Sequence, residues 1–76
     1  MTPHLPAITA AQVVRVAISL GFHLDRQKGS HAVYYRETDG ARLVIPMHSG
    51  TTMKPKTLTG IVADMGITMD ELRARL

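Results

Sequence analysis

The sequence predicts an α+β fold, a two-layer sandwich in which helices cover one face of a three-stranded antiparallel sheet, in the order α-β-β-β-α with a short C-terminal helix. Three observations predict it. Apolar residues recur at three-and-four spacing over residues 13–20 and again over 58–65, the signature of two amphipathic helices. Between them the period falls to two, and that central stretch is cut by two turn signals, Gly29-Ser30 and Asp39-Gly40.

The first helix is announced by Ile8-Thr9-Ala10-Ala11-Gln12-Val13. Thr9 is a cap, Gln12 is the third-position partner of a capping box, and Ile8 can staple onto Val13. Val13, Val16, Ala17 and Leu20 form one stripe and Gly21 supplies the exit, so this helix is expected over roughly residues 10–20. From Phe22 to Lys28 the residues alternate, with Phe22 and Leu24 on one side and His23, Asp25 and Gln27 on the other, the pattern of a half-buried strand. His31 to Glu37 is rich in β-branched and aromatic residues, and Ala41 to Pro46 returns as the third strand. Asp39-Gly40 reads as a two-residue type I′ loop, which needs positive φ at both positions.

With two-residue loops in both hairpins, Lys28 pairs with His31, Leu24 with Tyr35, and Tyr35 with Val44. Phe22, Leu24, Val33, Tyr35 and Val44 then share one face with His31 at its outer end, and Tyr34, Leu43 and Ile45 share the other. A slip of one residue exchanges the faces, so the residues leave open which of them is covered. Met47 to Met53 reads as a loop, and Lys54-Pro55 opens the second helix with proline at its first position. Leu58, Ile61, Val62 and Met65 make its stripe and Gly66 its stop. Ile67-Thr68-Met69-Asp70-Glu71-Leu72 repeats the capping signals of the first helix, and Arg73 and Arg75 offset the macrodipole in the last turn. Of the methionines, only Met65 falls on a stripe; Met47, Met53 and Met69 read as packing residues.

Residues 1–76 are read as one domain with residues 1–7 as a loose, proline-containing arm. A chain of this length buries only about two-thirds of its unfolded surface, which argues against a deep metabolite cavity. Cysteine is absent, which excludes disulfides, thiol catalysis and cysteine-bound metals. The N-terminus lacks a basic region followed by an apolar run, and no stretch approaches the roughly 18 apolar residues of a membrane span. A soluble cytoplasmic protein without a membrane partner is expected. Nine Lys and Arg against six Asp and Glu give a net charge of +3, which favours a polyanion as partner without specifying it.

The candidate for chemistry is His31, in Lys28-Gly29-Ser30-His31, with Lys28, Arg26 and Arg36 expected around it. A neutral imidazole can take a proton from a ribose 2′-hydroxyl or return one to a leaving 5′-oxygen, while cations offset charge on the phosphate. The plainer alternative is a surface histidine beside a turn. His48, in Pro46-Met47-His48-Ser49-Gly50, is a candidate accessory acid, base or phosphate contact, or else a loop-holding residue. His4 and His23 suggest nothing beyond surface roles. The histidines lack an i, i+4 helical spacing or a neighbouring carboxylate, so no metal site is expected. No phosphate-binding glycine loop or G-x-S-x-G motif occurs. Ser30 and His31 adjoin on a strand and point to opposite faces, which argues against a serine–histidine pair.

Gly29-Ser30-His31, preceded by Gly21-Phe22 and Arg26-Gln27-Lys28 and followed by Val44-Ile45-Pro46-Met47-His48 and Thr57-Leu58, resembles the HicA (YcfA-like) toxin family of bacterial type II toxin–antitoxin modules over about residues 9–72. Lys56 stands where that family often has a glycine. The resemblance implies a fold like that of double-stranded-RNA-binding domains, an mRNA interferase activity with His31 as the catalytic residue, mRNA as substrate, no small-molecule cofactor, and a HicB-like antitoxin that masks the histidine. Lys28, Arg26, Arg36, Lys54 and Lys56 are the expected RNA or phosphate contacts, with Gly29 and Ser30 setting the turn. The rival reading is a non-catalytic module that binds double-stranded RNA.

Overall fold

The computed structural model describes residues 7–47 and 52–76. Its order is α1 (Ala10–Ser19), β1 (His23–Lys28), β2 (His31–Arg36), β3 (Ala41–Pro46), α2 (Pro55–Met65) and α3 (Met69–Arg75), with the strands forming one antiparallel sheet in the order β1-β2-β3. This is the α+β order that the periodicities predict. Thr9 Oγ1 accepts from the Gln12 N–H at 3.3 Å and Gln12 Oε1 accepts from the Thr9 N–H at 2.9 Å, the reciprocal capping box. Thr68 and Glu71 repeat it at the start of α3. Pro55 occupies the first turn of α2, where its missing N–H removes no helical hydrogen bond.

Both α1 and α2 lay their stripes across β3. Val13, Val16 and Ala17 from α1 and Leu58, Ile61, Val62 and Met65 from α2 meet Ala32, Tyr34, Leu43 and Ile45 of the sheet, and Leu72 of α3 joins them. The covered face is therefore the one carrying Tyr34, Leu43 and Ile45, and the face shared by Val33, Tyr35 and Val44 is open. The larger aliphatic pair of β3 decides this. Leu43 and Ile45 are wholly buried, whereas Val44 between them is 51% exposed.

Two expectations about the strands are corrected. β1 is exposed at all six positions rather than half-buried, because both helices lie toward β3 and leave the outer strand uncovered. Phe22 is buried in the core, but it precedes β1 instead of alternating with Leu24, and a bulge between Leu24 and Arg26 breaks the period. The predicted Lys28–His31 pair is present; beyond the bulge Leu24 faces Tyr34, and His23 faces Tyr35.

The second hairpin also differs. Arg36 pairs with Ala41, so its loop holds four residues, 37–40, rather than the two of a type I′ turn. Only Gly40 has positive φ there, at +71°, and its N–H donates to Arg36 O at 2.9 Å. Asp39 keeps negative φ and uses its carboxylate instead, accepting from the Ala41 N–H at 3.1 Å. Val44 consequently faces Val33, and Tyr35 faces Arg42. A shift of two residues preserves the side-chain alternation, so β2 and β3 keep their predicted faces, whereas Phe22 and Leu24, expected beside Val33 and Tyr35, fall on the side of Tyr34.

Candidate functional site

His31 opens β2 directly after a tight turn whose first central residue, Gly29, has a φ of +60°. Ser30, at the second, does not have positive φ, which makes this a II′ hairpin, the turn whose twist suits flanking strands. Nothing lies within 4 Å of the place a Cβ on Gly29 would occupy, so the glycine is required for backbone conformation and not for room. Ser30 O accepts from the Met47 N–H just past β3, which ties the turn to the third strand. Gly29→Ala should destabilise the protein by roughly 1–2 kcal/mol, the cost of a left-handed L residue. Thermal melting checks this, and an unchanged Tm would show that the turn does not need that conformation.

Cross-strand pairing arranges the open face in three rows. Lys28, His31 and Pro46 form the first, Arg26, Val33 and Val44 the second, and His23, Tyr35 and Arg42 the third. His31 is exposed, as are Lys28 and Arg26. Among the described residues the ring of His31 has no hydrogen-bond partner. The carboxylate of Asp25, in the bulge, lies 3.3 Å from Arg26 Nε and 3.5 Å from Arg42 Nη1. One acid thus serves two guanidinium groups, and such exposed pairs hold their partners weakly. Tyr35 stands between Arg42, whose Cζ is 5.3 Å from the ring centroid, and His23, which meets it edge-on at 6.1 Å.

Arg36 is not beside His31. It closes the same strand, five residues on, or about 16 Å at ~3.3 Å per residue. Its guanidinium is committed elsewhere: Nη1 donates to Leu20 O at 3.1 Å, Nη2 to Met65 O at 3.3 Å and to Asp39 Oδ2 at 2.7 Å, and Nε to Asp39 Oδ1 at 2.9 Å. Its Cζ also lies 4.4 Å from the centroid of Phe22. Sequence proximity to the basic cluster suggested a phosphate contact, but the strand carries the side chain to the helix ends. Asp39 is correspondingly held down to about 2 from an ordinary 3.8, first by the Arg36 hydrogen bonds and then by the Ala41 N–H. Because the unfolded chain protonates this carboxyl before the native one does, the stability it contributes is complete above about 4 and lost as pH falls toward about 2. Asp39→Asn should flatten that part of a stability–pH curve; an unaltered slope would contradict the pairing.

Lys54 and Lys56 are exposed at the start of α2, in the helical layer rather than on the open sheet face. That first turn has no acidic residue and no side-chain cap, so two cations add to the positive end of the helix, an arrangement that favours an anion nearby. His48 and His4 lie outside the described residues. Among the described residues no three His, Asp or Glu side chains converge where a metal could sit, and no helix is long and apolar enough to cross a membrane. Reasoning from the sequence missed the cluster of His23, Tyr35 and Arg42. The signal that could have found it was the Arg42–Tyr35 pairing, hidden by the assumed two-residue loop.

Fold and site together define a class: a small α+β domain that presents one histidine at a hairpin turn, on a sheet face lined with cations. Residues 10–67 match the family described as HicA toxin of bacterial toxin-antitoxin, and the chain belongs to the HicA toxin family. It is thus the toxin of a toxin–antitoxin system, with an antitoxin as its counterpart. No curated protein matches the sequence.

Proposed function

We propose that this toxin is an endoribonuclease, an mRNA interferase acting in the cytoplasm, in which His31 assists in-line attack by a ribose 2′-hydroxyl, and that a HicB-like antitoxin restrains it by covering this histidine. The observation that carries the reading is the exposed imidazole of His31 directly across the strand pair from the exposed ammonium of Lys28. In the proposed step the imidazole takes the 2′-hydroxyl proton as O2′ bonds to phosphorus, and the P–O5′ bond breaks. The 5′-oxygen leaves with a proton from solvent, and a 2′,3′-cyclic phosphate remains. Lys28, and Arg26 in the next row, contact the phosphate and offset the charge that develops on its oxygens. Gly29 and Ser30 fix the distance between imidazole and ammonium through the turn. Neither a protein nucleophile nor a metal takes part. Lys54 and Lys56 contact more distant phosphates from the helical layer, and His48 is an accessory contact.

Induced expression in a bacterium tests this reading. The wild-type chain should arrest growth and deplete messenger RNA, co-expression of the antitoxin encoded beside it should restore growth, and His31→Ala should be harmless. Growth arrest by a folded His31→Ala protein would overturn the assignment.

A further inference from the structure

We infer that the open face of the sheet is a track for single-stranded RNA leading away from His31, and that Tyr35 and Arg42 at its far end form a stacking platform for a base. This rests on the nuclease reading for the role of His31, but the binding claim stands on the face itself. Tyr35 and His31 lie on the same face of β2, four residues and about 13 Å apart at ~3.3 Å per residue. The row between them is apolar at its centre, with Val33 facing Val44. Val44, half-exposed between Arg42 and Pro46 on this face, suits the faces and edges of bases better than it suits bulk water.

The charge on this face is complementary to a phosphate backbone. Arg26, Lys28 and Arg42 are opposed by Asp25, which is already shared between the two arginines, and by Glu37, whose Oε1 lies 3.7 Å from His23 Nε2 at the platform end, so the cations outnumber the acids by three to two. The Tyr35–Arg42 pair joins an aromatic ring to a planar guanidinium, the two groups on which unpaired bases stack. A duplex keeps its bases paired and presents only sugars, phosphates and groove edges, so it would leave the Val33–Val44 row and the platform unused. An acidic protein surface would satisfy the cations, and that is the competing occupant.

Intrinsic fluorescence gives a direct test, because the chain has two tyrosines and no tryptophan. Tyr34 is buried beneath the helices, so a Tyr34→Phe protein leaves Tyr35 as the sole emitter. On a His31→Ala background, which binds without cutting, a short single-stranded RNA should quench this emission. Tyr35→Leu and Arg42→Ala, made with both tyrosines otherwise intact, should each weaken binding of the labelled strand by roughly tenfold. Tyr35→Phe should bind nearly normally, and melting curves confirm that each variant folds. The same RNA as a duplex should bind without quenching. The inference is overturned if single strands leave the emission unchanged, or if both variants bind RNA normally and lose affinity only for the antitoxin. If binding and quenching occur as described but the wild-type protein cuts no RNA, the nuclease reading fails and the track stands. If it cuts RNA with no dependence on Tyr35 or Arg42, the reverse holds.

Discussion

Replacing His31 with alanine should lower RNA cleavage by roughly a hundred- to ten-thousandfold, the range that one positioned acid–base group supplies. The side chain is exposed and belongs to no part of the core, so the loss should come without unfolding. Surface substitutions remote from caps, networks and strained backbone ordinarily change stability by less than about 0.5 kcal/mol. Circular dichroism and the Tm of the variant should therefore match the parent. Lys28→Ala should act differently, because losing a phosphate contact that is made on binding and strengthens during reaction raises KM as well as lowering kcat. A folded His31→Ala protein that keeps more than about a tenth of the activity would show that the proton is handled elsewhere, with His48 the first residue to examine.

The largest effect on stability is expected at Arg36. An α-helix leaves its last carbonyls without intrahelical partners. In α1 the Phe22 N–H returns to Ala17 O and the Gly21 N–H to Ile18 O; in α2 the Ile67 N–H returns to Val62 O and the Gly66 N–H to Ala63 O. Leu20 O and Met65 O are among the carbonyls these hydrogen bonds do not reach, and Arg36 donates to both. A single guanidinium thus joins the ends of two helices to the end of β2, with Asp39 holding its other edge and Phe22 beneath it. Its side chain is only 17% exposed. Arg36→Ala would strand two carbonyls and one carboxylate together, and Tm should fall by about 10 °C for a domain of this size. Arg36→Lys should recover little, since an ammonium cannot span three acceptors in fork geometry. Activity per folded molecule should stay near normal, which separates this brace from a phosphate contact.

How far the site could be read from the residues depended on the range of the signals involved. Capping boxes and proline at a helix start are contained within four or five residues, so Thr9-Gln12, Pro55 and Thr68-Glu71 were legible and the three helices fall where those signals put them. The Lys28–His31 pair was legible for the same reason, because Gly29-Ser30 fixes a turn locally. Asp39-Gly40 misled because the same dipeptide serves a four-residue loop once Asp39 can bind Arg36, a choice made by helix ends far away in sequence. The bulge at Asp25 and the burial of Leu43 in place of Val33 likewise depend on where the helices settle. Alternation names the two faces of a strand, and only packing selects between them. On β2 and β3 the members of the open face were thus visible before it could be recognised as the surface around His31, whereas on β1 simple alternation assigns Phe22 and Leu24 to it and His23 to the other face, the reverse of what is found.

The central claim is that His31 promotes attack by the substrate's own 2′-hydroxyl. Analysis of the ends of RNA fragments, produced by the purified protein in buffer containing EDTA, tests it most directly. The mechanism predicts undiminished cleavage with 5′-hydroxyl and 2′,3′-cyclic phosphate termini, both missing when His31→Ala is used. Fragments ending in 3′-hydroxyl and 5′-phosphate, or cleavage that EDTA abolishes, would contradict it.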